Sequence, residues 1–236
     1  MAPPAPIPPS SAAAVSPSTI PTPAYGAGGT FTVACSTTIA AAPLTCLNII
    51  LDAPNYASWN RFCRSIAINQ QPAQSAHQPP LPGISSVGEH ALRLGTKFTF
   101  DVHMNPDAAD GSKGRPSEEE VTVLERIDEA VQAAGDVDGS PGARRKGWRV
   151  AWKLRSSLFV PKFMLHCERV QEFIEVETLD GRLSTEYACW ETFYGVLAPV
   201  VRLGMGGQLC KGFDAWMYGL KKRAEEMEQS AEVPAR

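Results

Sequence analysis

The sequence lacks the cysteine spacing of a metal site or a disulfide framework. Its six cysteines are scattered along 236 residues, and no two of them form a C-x-x-C pair. Structural zinc modules and small secreted folds both need closely spaced cysteines. We therefore expect free thiols, a cytoplasmic location, and neither a metal ion nor any other cofactor.

The sequence also lacks an excess of positive charge. Its formal net charge is −3, and only 20% of its residues are charged. Proteins that grip the phosphate backbone usually carry a basic domain or stripe. Nucleic acid is therefore not an expected partner.

The N-terminal region has no charged residue before Asp52 and no arginine before Arg61. Eight prolines interrupt residues 1–23, which argues against a secretory signal, and a mitochondrial presequence would be rich in arginine. We expect a disordered Pro/Ala/Ser-rich leader over 1–28, a ligand-binding domain over 29–229 and a flexible tail over 230–236.

Residues 29–51 are apolar enough to suggest a membrane span. They contain several Ser and Thr residues, Pro43 and a change of hydrophobic period, all of which argue against a transmembrane segment. Transient contact with a membrane surface stays open.

Alternating apolar residues predict about seven strands. The first begins at Phe31, and Pro43–Leu51 and Tyr56–Phe62 follow it as two short helices. Later strands are expected over 64–69, 96–104, 119–128, 148–154, 163–177 and 183–194. Few helices separate these strands, so they should pair antiparallel.

The last predicted element is one long helix over 196–228. Its apolar stripe consists of Leu197, Val201, Met205, Leu209, Phe213, Met217 and Leu220. The predicted fold class is α+β: a curved antiparallel sheet wrapped on this helix, with a hollow between the two.

Several segments resemble the START-like (SRPBCC) superfamily, in particular its uncharacterised fungal members. The resemblance spans about 29–228 and is carried by Phe31–Ile39, Ala42-Pro43, Leu51-Asp52, Tyr56-Ala-Ser-Trp59-Asn60, Glu168-Arg169 and Thr185–Gly195. It implies a helix-grip fold whose cavity holds a hydrophobic small molecule. Two loops, 70–94 and 129–147, are long for that family.

Large aromatic and methionine side chains on the predicted inward faces are the candidate ligand-binding residues. Such side chains suit a flat or irregular apolar guest. The set is Trp59, Phe98, Phe100, Trp148, Trp152, Tyr187, Trp190, Met205, Phe213 and Met217. The alternative is that they simply fill a core.

Acid–base candidates are fewer. They are Glu191, Arg169, His166 and Tyr187, because cyclisation or dehydration needs a proton donor or acceptor beside the substrate. Strand alternation leaves the facing of 183–194 open. His103 shares a face with Asp101 and is expected to be solvated.

Two further features have competing explanations. Gly204, Gly206, Gly207 and Gly212 weaken the last helix, either to admit a ligand or to allow close packing. A basic cluster at Arg144, Arg145, Lys146, Arg149, Lys153 and Arg155 indicates either a membrane-surface contact or a solvated strand face.

Three functions therefore remain open. The chain is predicted to bind or carry a lipid, sterol, quinone or polyketide. It would alternatively be a polyketide cyclase or dehydratase acting in the same cavity, or a protein-interaction module. The oligomeric state is not predicted.

Overall fold

The structure is a computed structural model that describes residues 7–73, 83–84, 90–130, 144–156, 161–178 and 181–232. Parts of the two long loops, residues 179 and 180 of the predicted Asp-Gly turn, and the end of the predicted tail lie outside these residues.

The described residues form one eight-stranded antiparallel sheet in the order β1-β2-β8-β7-β6-β5-β4-β3. The strands are β1 (Ala14–Ser16), β2 (Phe31–Ile39), β3 (Cys63–Gln70), β4 (Lys97–Val102), β5 (Arg115–Ala130), β6 (Arg144–Leu154), β7 (His166–Glu177) and β8 (Leu183–Tyr194). The strongest apolar alternations all became strands, as predicted.

Three helical segments complete the chain: α1 (Pro43–Leu51), a 3₁₀ helix (Ala53–Ser58) and α2 (Ala198–Glu232). Proline at the first position of α1 costs no hydrogen bond, because the first-turn N–H groups of a helix have no intrahelical partner. The second predicted helix is a 3₁₀ turn that ends before Trp59 rather than at Phe62.

Gly195 makes the turn from β8 into α2. Its φ is 95°, and a Cβ there would lie 2.6 Å from the carbonyl oxygen of Met164. Only glycine combines that backbone conformation with such close approach.

The two faces of the sheet are covered by different parts of the chain. The inner face packs against α1, the 3₁₀ helix and α2, and it forms the larger hydrophobic cluster. The arrangement is an α+β helix-grip fold, which confirms the predicted fold class with one strand more than expected.

Part of the outer face is covered by the N-terminal segment, for which a disordered leader over 1–28 was expected. Ala14–Ser16 pairs with β2, and Ile7 and Ile20 pack on an outer cluster of Ala151, Val170 and Trp190. Residues 1–6 lie outside the described part.

The buried stripe of α2 also differs from the predicted one. It runs through Leu209, Phe213, Trp216, Leu220 and Ala224, whereas Met205 and Met217 are only half-buried. The spacing from Phe213 to Leu220 fits either Trp216 or Met217, and the larger indole takes the core position.

Candidate functional site

An aromatic cluster on the inner face surrounds Trp216. The Trp216 ring centroid lies 5.5 Å from that of Trp59, 5.9 Å from that of Phe100 and 5.9 Å from that of Trp152. Phe98 packs edge-on against Phe100 with centroids 4.9 Å apart. The structure therefore brings together four of the predicted residues, Trp59, Phe98, Phe100 and Trp152, around a tryptophan that was not among them.

A charged pair lies inside this apolar surrounding. The Arg169 guanidinium donates to Glu191 Oε2 from Nη2 at 2.8 Å and from Nε at 3.2 Å. The register places Arg169 of β7 directly opposite Glu191 of β8, which settles the open question of how 183–194 faces. Tyr187, Glu191 and Phe193 point inward.

Aromatic rings enclose the guanidinium. Its central carbon lies 4.4 Å from the ring centroid of Phe213, 5.2 Å from that of Trp216 and 5.5 Å from that of Phe62. Burial lowers the pKa of Arg169, but the Glu191 carboxylate and other neighbours more than offset this, so the net direction is upward. Arg169 is therefore a fixed cation in the interior.

Glu119 of β5 is a second buried carboxyl on the inner face. Its Cα pairs with Phe98 on one side and Leu154 on the other, and the Ser117 hydroxyl donates to Glu119 Oε1 at 2.7 Å. Burial, reinforced by the negative charge of Glu191, raises the pKa of Glu119 to about 8. This carboxyl is consequently mostly protonated at neutral pH.

Gln171 links three elements beneath the helix. Its Oε1 accepts hydrogen bonds from the Tyr187 hydroxyl at 2.7 Å and from Trp216 Nε1 at 3.0 Å. Because an indole N–H can only donate, the oxygen of the Gln171 amide, and not its nitrogen, must face Trp216. The Gln171 Nε2 is then left buried without a hydrogen-bond partner among the described residues.

Three of the predicted site residues lie outside the inner aromatic cluster. Trp190 points to the outer face, where its Nε1 donates to the Pro21 carbonyl at 3.3 Å. His166 also lies on that face, stacked on Tyr194 with centroids 5.0 Å apart, and burial lowers its pKa. Met205 is half-buried on α2 and is not part of the inner cluster. Trp190 and His166 alternate with inward residues, and only the pairing register could assign their faces.

Two predicted residues lie at the margin of the inner cluster. Trp148 faces inward opposite Phe173 and is nearly buried. Met217 packs against the cluster while remaining half-buried. Both keep their predicted side of the sheet or helix.

The glycines of α2 separate into two groups. A Cβ at Gly212 would lie 2.4 Å from the Phe62 ring, and one at Gly219 would lie 2.2 Å from the Trp59 carbonyl oxygen. In the part of the chain that the structure describes, Gly204 and Gly207 have no neighbour within 4 Å of such a Cβ, and Gly206 approaches Val15. Close packing against the 3₁₀ region therefore explains Gly212 and Gly219, while the structure gives no reason for Gly204 and Gly207.

Five of the six residues in the predicted basic cluster form ion pairs with carboxylates of neighbouring strands. Arg149 lies within 2.6 Å of both Glu125 and Glu172, and Arg145 also pairs with Glu172. Arg155 is 2.9 Å from Glu118, and Lys153 is 3.5 Å from Glu120. This face is a ladder of ion pairs rather than a free cationic surface.

An open groove of about 800 Å³ lies between α2 and the loop that follows β4. Trp59, Asn60 and Arg64 line it, with Pro106 and Asp110 from the loop after β4. The buried donors Trp59 Nε1 and Asn60 Nδ2 have no hydrogen-bond partner within the described ranges. No sequence pattern pointed to this groove, because it is built from separate segments.

Gln171, Glu119 and Trp216 are the inner-site residues that sequence reasoning missed. The helical spacing of Phe213, Trp216 and Leu220 could have identified Trp216 as a buried position. Gln171 and Glu119 occupy inward positions of strands whose apolar alternation they interrupt, so only the observed register identifies them.

Within the described residues, no group of three or more His, Cys, Asp or Glu side chains is arranged to hold a metal ion. The helices that the structure describes include none that is both long and apolar enough to cross a bilayer.

Comparison with known proteins gives likenesses of fold. No family model matches the chain, and no curated protein matches it. Solved structures similar to this chain include a hypothetical protein from Helicobacter pylori, with 14% identity, a TM-score of 0.47, and coverage of 81% of this chain and 86% of that one.

Two further solved structures are similar. A protein from Thermus thermophilus has 10% identity and a TM-score of 0.47, with 86% of this chain and 99% of that chain covered. A START superfamily protein from Mycobacterium smegmatis has 14% identity and a TM-score of 0.46, with coverage of 83% and 98%. Likeness at this level concerns the fold and says nothing about function.

Proposed function

We propose that the chain binds or carries a hydrophobic small molecule between the inner face of the sheet and α2. The ligand would be a lipid, sterol, quinone or polyketide that carries a hydrogen-bond acceptor at one end. The observation that supports this is the polar group of Arg169, Glu191 and Gln171 inside a largely apolar interior.

The polar group needs a reason because it is costly. Removing two charges from water costs several kcal/mol per ion, and a hydrophobic pair of similar volume often gives equal or greater stability. A buried donor without an acceptor costs about 1–3 kcal/mol. A ligand oxygen that accepts from Gln171 Nε2 would remove the second cost and gain a directional contact.

Ligand entry requires the aromatic rings to separate, since Trp59, Phe100 and Trp152 contact Trp216 directly. Trp216 belongs to α2, so a small displacement of that helix would open the space. Burying flat apolar surface against these rings would supply the binding energy, at about 25 cal/mol per Å².

Extraction of the purified protein with organic solvent, followed by mass spectrometry, tests this proposal. We expect an apolar molecule in near-stoichiometric amount from the parent and at least tenfold less from Trp152→Ala, which removes an inner wall. Tyr218→Ala, on the exposed side of α2, is the control and should retain the ligand. Equal recovery from the parent and from Trp152→Ala would refute the assignment.

A second candidate function is the chemistry of a polyketide cyclase or dehydratase in the same space. Glu119 supports it, because a carboxyl with a pKa of about 8 is protonated at neutral pH and can act as a general acid. If Glu119 acts in this way, Glu119→Gln binds substrate normally but loses turnover by about 10²-fold or more. Equal turnover by the parent and Glu119→Gln would refute this catalytic role, and binding would remain the only proposed function.

The proposal also includes transient contact with a membrane, at the start of α2 rather than at the basic strand face. Phe163, Val196, Val200 and Leu203 are exposed by 64–83%, and Val196 N–H donates to the Phe163 carbonyl at 3.3 Å. Co-sedimentation with phosphatidylcholine vesicles should weaken in Leu203→Asp and not in Glu226→Gln. Unchanged sedimentation in Leu203→Asp would refute this contact.

A further inference from the structure

Three polar side chains beyond the inner site form a connected line at the end of β4. Nε2 of His103 lies 2.8 Å from Asp101 Oδ2, and its Nδ1 lies 3.1 Å from Ser112 Oγ. His103 is 5% exposed rather than solvated as expected, because Ser112 and Gly114 of the loop after β4 lie against its ring.

The hydrogen bonds fix which nitrogen of His103 carries the proton. An ionised Asp101 can only accept, so His103 Nε2 donates to it. In the neutral ring Nδ1 then carries the lone pair, which faces the Ser112 hydroxyl. The arrangement is that of a nucleophile (Ser112), its base (His103) and the group that orients the base (Asp101).

The three side chains differ in burial. The His103 side chain is 3% exposed and that of Asp101 is 42% exposed, while Ser112 is half-exposed. The base is therefore shielded from water, and the hydroxyl remains accessible to a molecule in solution.

The backbone around the group keeps it in place. A Cβ at Gly114 would lie 2.0 Å from Asp101 Oδ1 and 2.8 Å from His103 Nε2, so glycine is needed for the pair to pack there. Ser112 follows Gly111, whose φ is 87°, and its N–H donates to the Ala109 carbonyl at 3.1 Å.

Arg64 holds the loop that carries Ser112. Its Nη2 donates to the Ala108 carbonyl at 2.6 Å, and its Nη1 donates to the Ala109 carbonyl at 3.1 Å. Pro106 and Asp110 of the same loop line the open groove. A concave surface for a substrate thus adjoins the segment that presents the hydroxyl.

We propose that Ser112 is the nucleophile of a second, hydrolytic site that acts on carboxylic esters, with His103 as its base and Asp101 as the positioning residue. Ser112 Oγ attacks the ester carbonyl carbon while its proton passes to His103 Nδ1. The C–O bond to the alcohol breaks, and the alcohol leaves with that proton. Water, deprotonated by the same nitrogen, then attacks the acyl-serine. The bond between Ser112 Oγ and the acyl carbon breaks, His103 Nδ1 returns the proton to Oγ, and the carboxylic acid leaves.

The test is labelling of the full-length protein with a fluorophosphonate, together with hydrolysis of p-nitrophenyl acetate. We expect the label on Ser112 by peptide mass spectrometry, and its complete loss in Ser112→Ala. Ser65→Ala, which removes an exposed serine of β3, is the control and should label at the parent rate.

Asp101→Asn distinguishes a nucleophilic site from a structural hydrogen-bond cluster. Its amide would donate to Nε2, which moves the ring proton to Nδ1 and blocks the base without removing any side-chain volume. We expect the labelling rate to fall at least tenfold while the unfolding midpoint changes little. Absence of label, label on another serine, or equal rates in the parent and Asp101→Asn would overturn the proposal.

Discussion

Trp216 donates its indole N–H to Oε1 of Gln171 at 3.0 Å and thereby ties α2 to β7 at the centre of the inner face. The same oxygen accepts from Tyr187, so one amide connects two strands and the helix. Such a contact fixes how closely α2 can approach the sheet.

Trp216→Phe should destabilise the protein by about 2 kcal/mol, because it removes this hydrogen bond and part of a buried ring. Urea unfolding followed by far-ultraviolet circular dichroism measures the loss. Tyr218→Phe, on the exposed face of the same helix, should stay within about 0.5 kcal/mol of the parent. Equal stability of Trp216→Phe and the parent would mean that this contact does not hold the helix.

The Arg169–Glu191 pair should behave as a coupled unit. Arg169→Met and Glu191→Leu alone should each cost about 3–5 kcal/mol, because each leaves a buried charge without its partner. The double variant should be far more stable than the sum of the two losses predicts. A double-mutant cycle by urea unfolding measures this coupling, and simple additivity would contradict it.

The two groups of helix glycines predict opposite responses to alanine. Gly219→Ala should destabilise by roughly 1–3 kcal/mol, because its Cβ meets the Trp59 backbone carbonyl. Gly207→Ala should stabilise by about 0.5–1 kcal/mol, since it has open space and alanine favours the helix. Thermal unfolding of the matched pair compares them, and effects of the same sign would contradict the packing described.

The raised pKa of Glu119 predicts that the free energy of unfolding falls as the pH rises. Its folded pKa of about 8 lies above the ordinary carboxyl value of 4.5, so between these values the folded state holds a proton that the unfolded state has released. Its stabilising contribution is complete below about pH 4.5 and decreases by roughly 1.4 kcal/mol per pH unit up to pH 8.

Urea unfolding at about pH 5 and about pH 8 checks this effect. The parent should lose more stability between the two values than Glu119→Gln, which cannot ionise. An identical pH dependence for both proteins would mean that Glu119 titrates normally.

Much of the fold could be predicted because local patterns decide it. The apolar alternation around Phe98 and Trp152 indicates one face of a sheet. Pro43 indicates the start of α1, and the spacing of Leu209 and Phe213 indicates the buried stripe of a helix. The N-terminal segment could not be predicted, because its few apolar residues, such as Ile20, pack on an outer cluster far away in sequence.

The site was only partly predictable for a related reason. Large rings such as Phe100 could be assigned to a core or a ligand wall from the sequence. Arg169 and Glu191 could be selected by residue type, but only the register of β7 and β8 pairs them. The polar members Gln171 and Glu119 break the apolar alternation, and His103 is buried by the loop that follows its strand. Their roles depend on strand register and on loop packing, which periodicity does not fix.

Photocrosslinking with a diazirine-labelled palmitic acid tests the central claim most directly, because it reports where an apolar chain lies. Peptide mapping of the irradiated protein should place the crosslinks on inward residues of β4, β6 and α2, around Phe100, Trp152 and Trp216. Crosslinks confined to the open groove or to the exposed residues at the start of α2, or no crosslinks at all, would contradict a ligand held between sheet and helix.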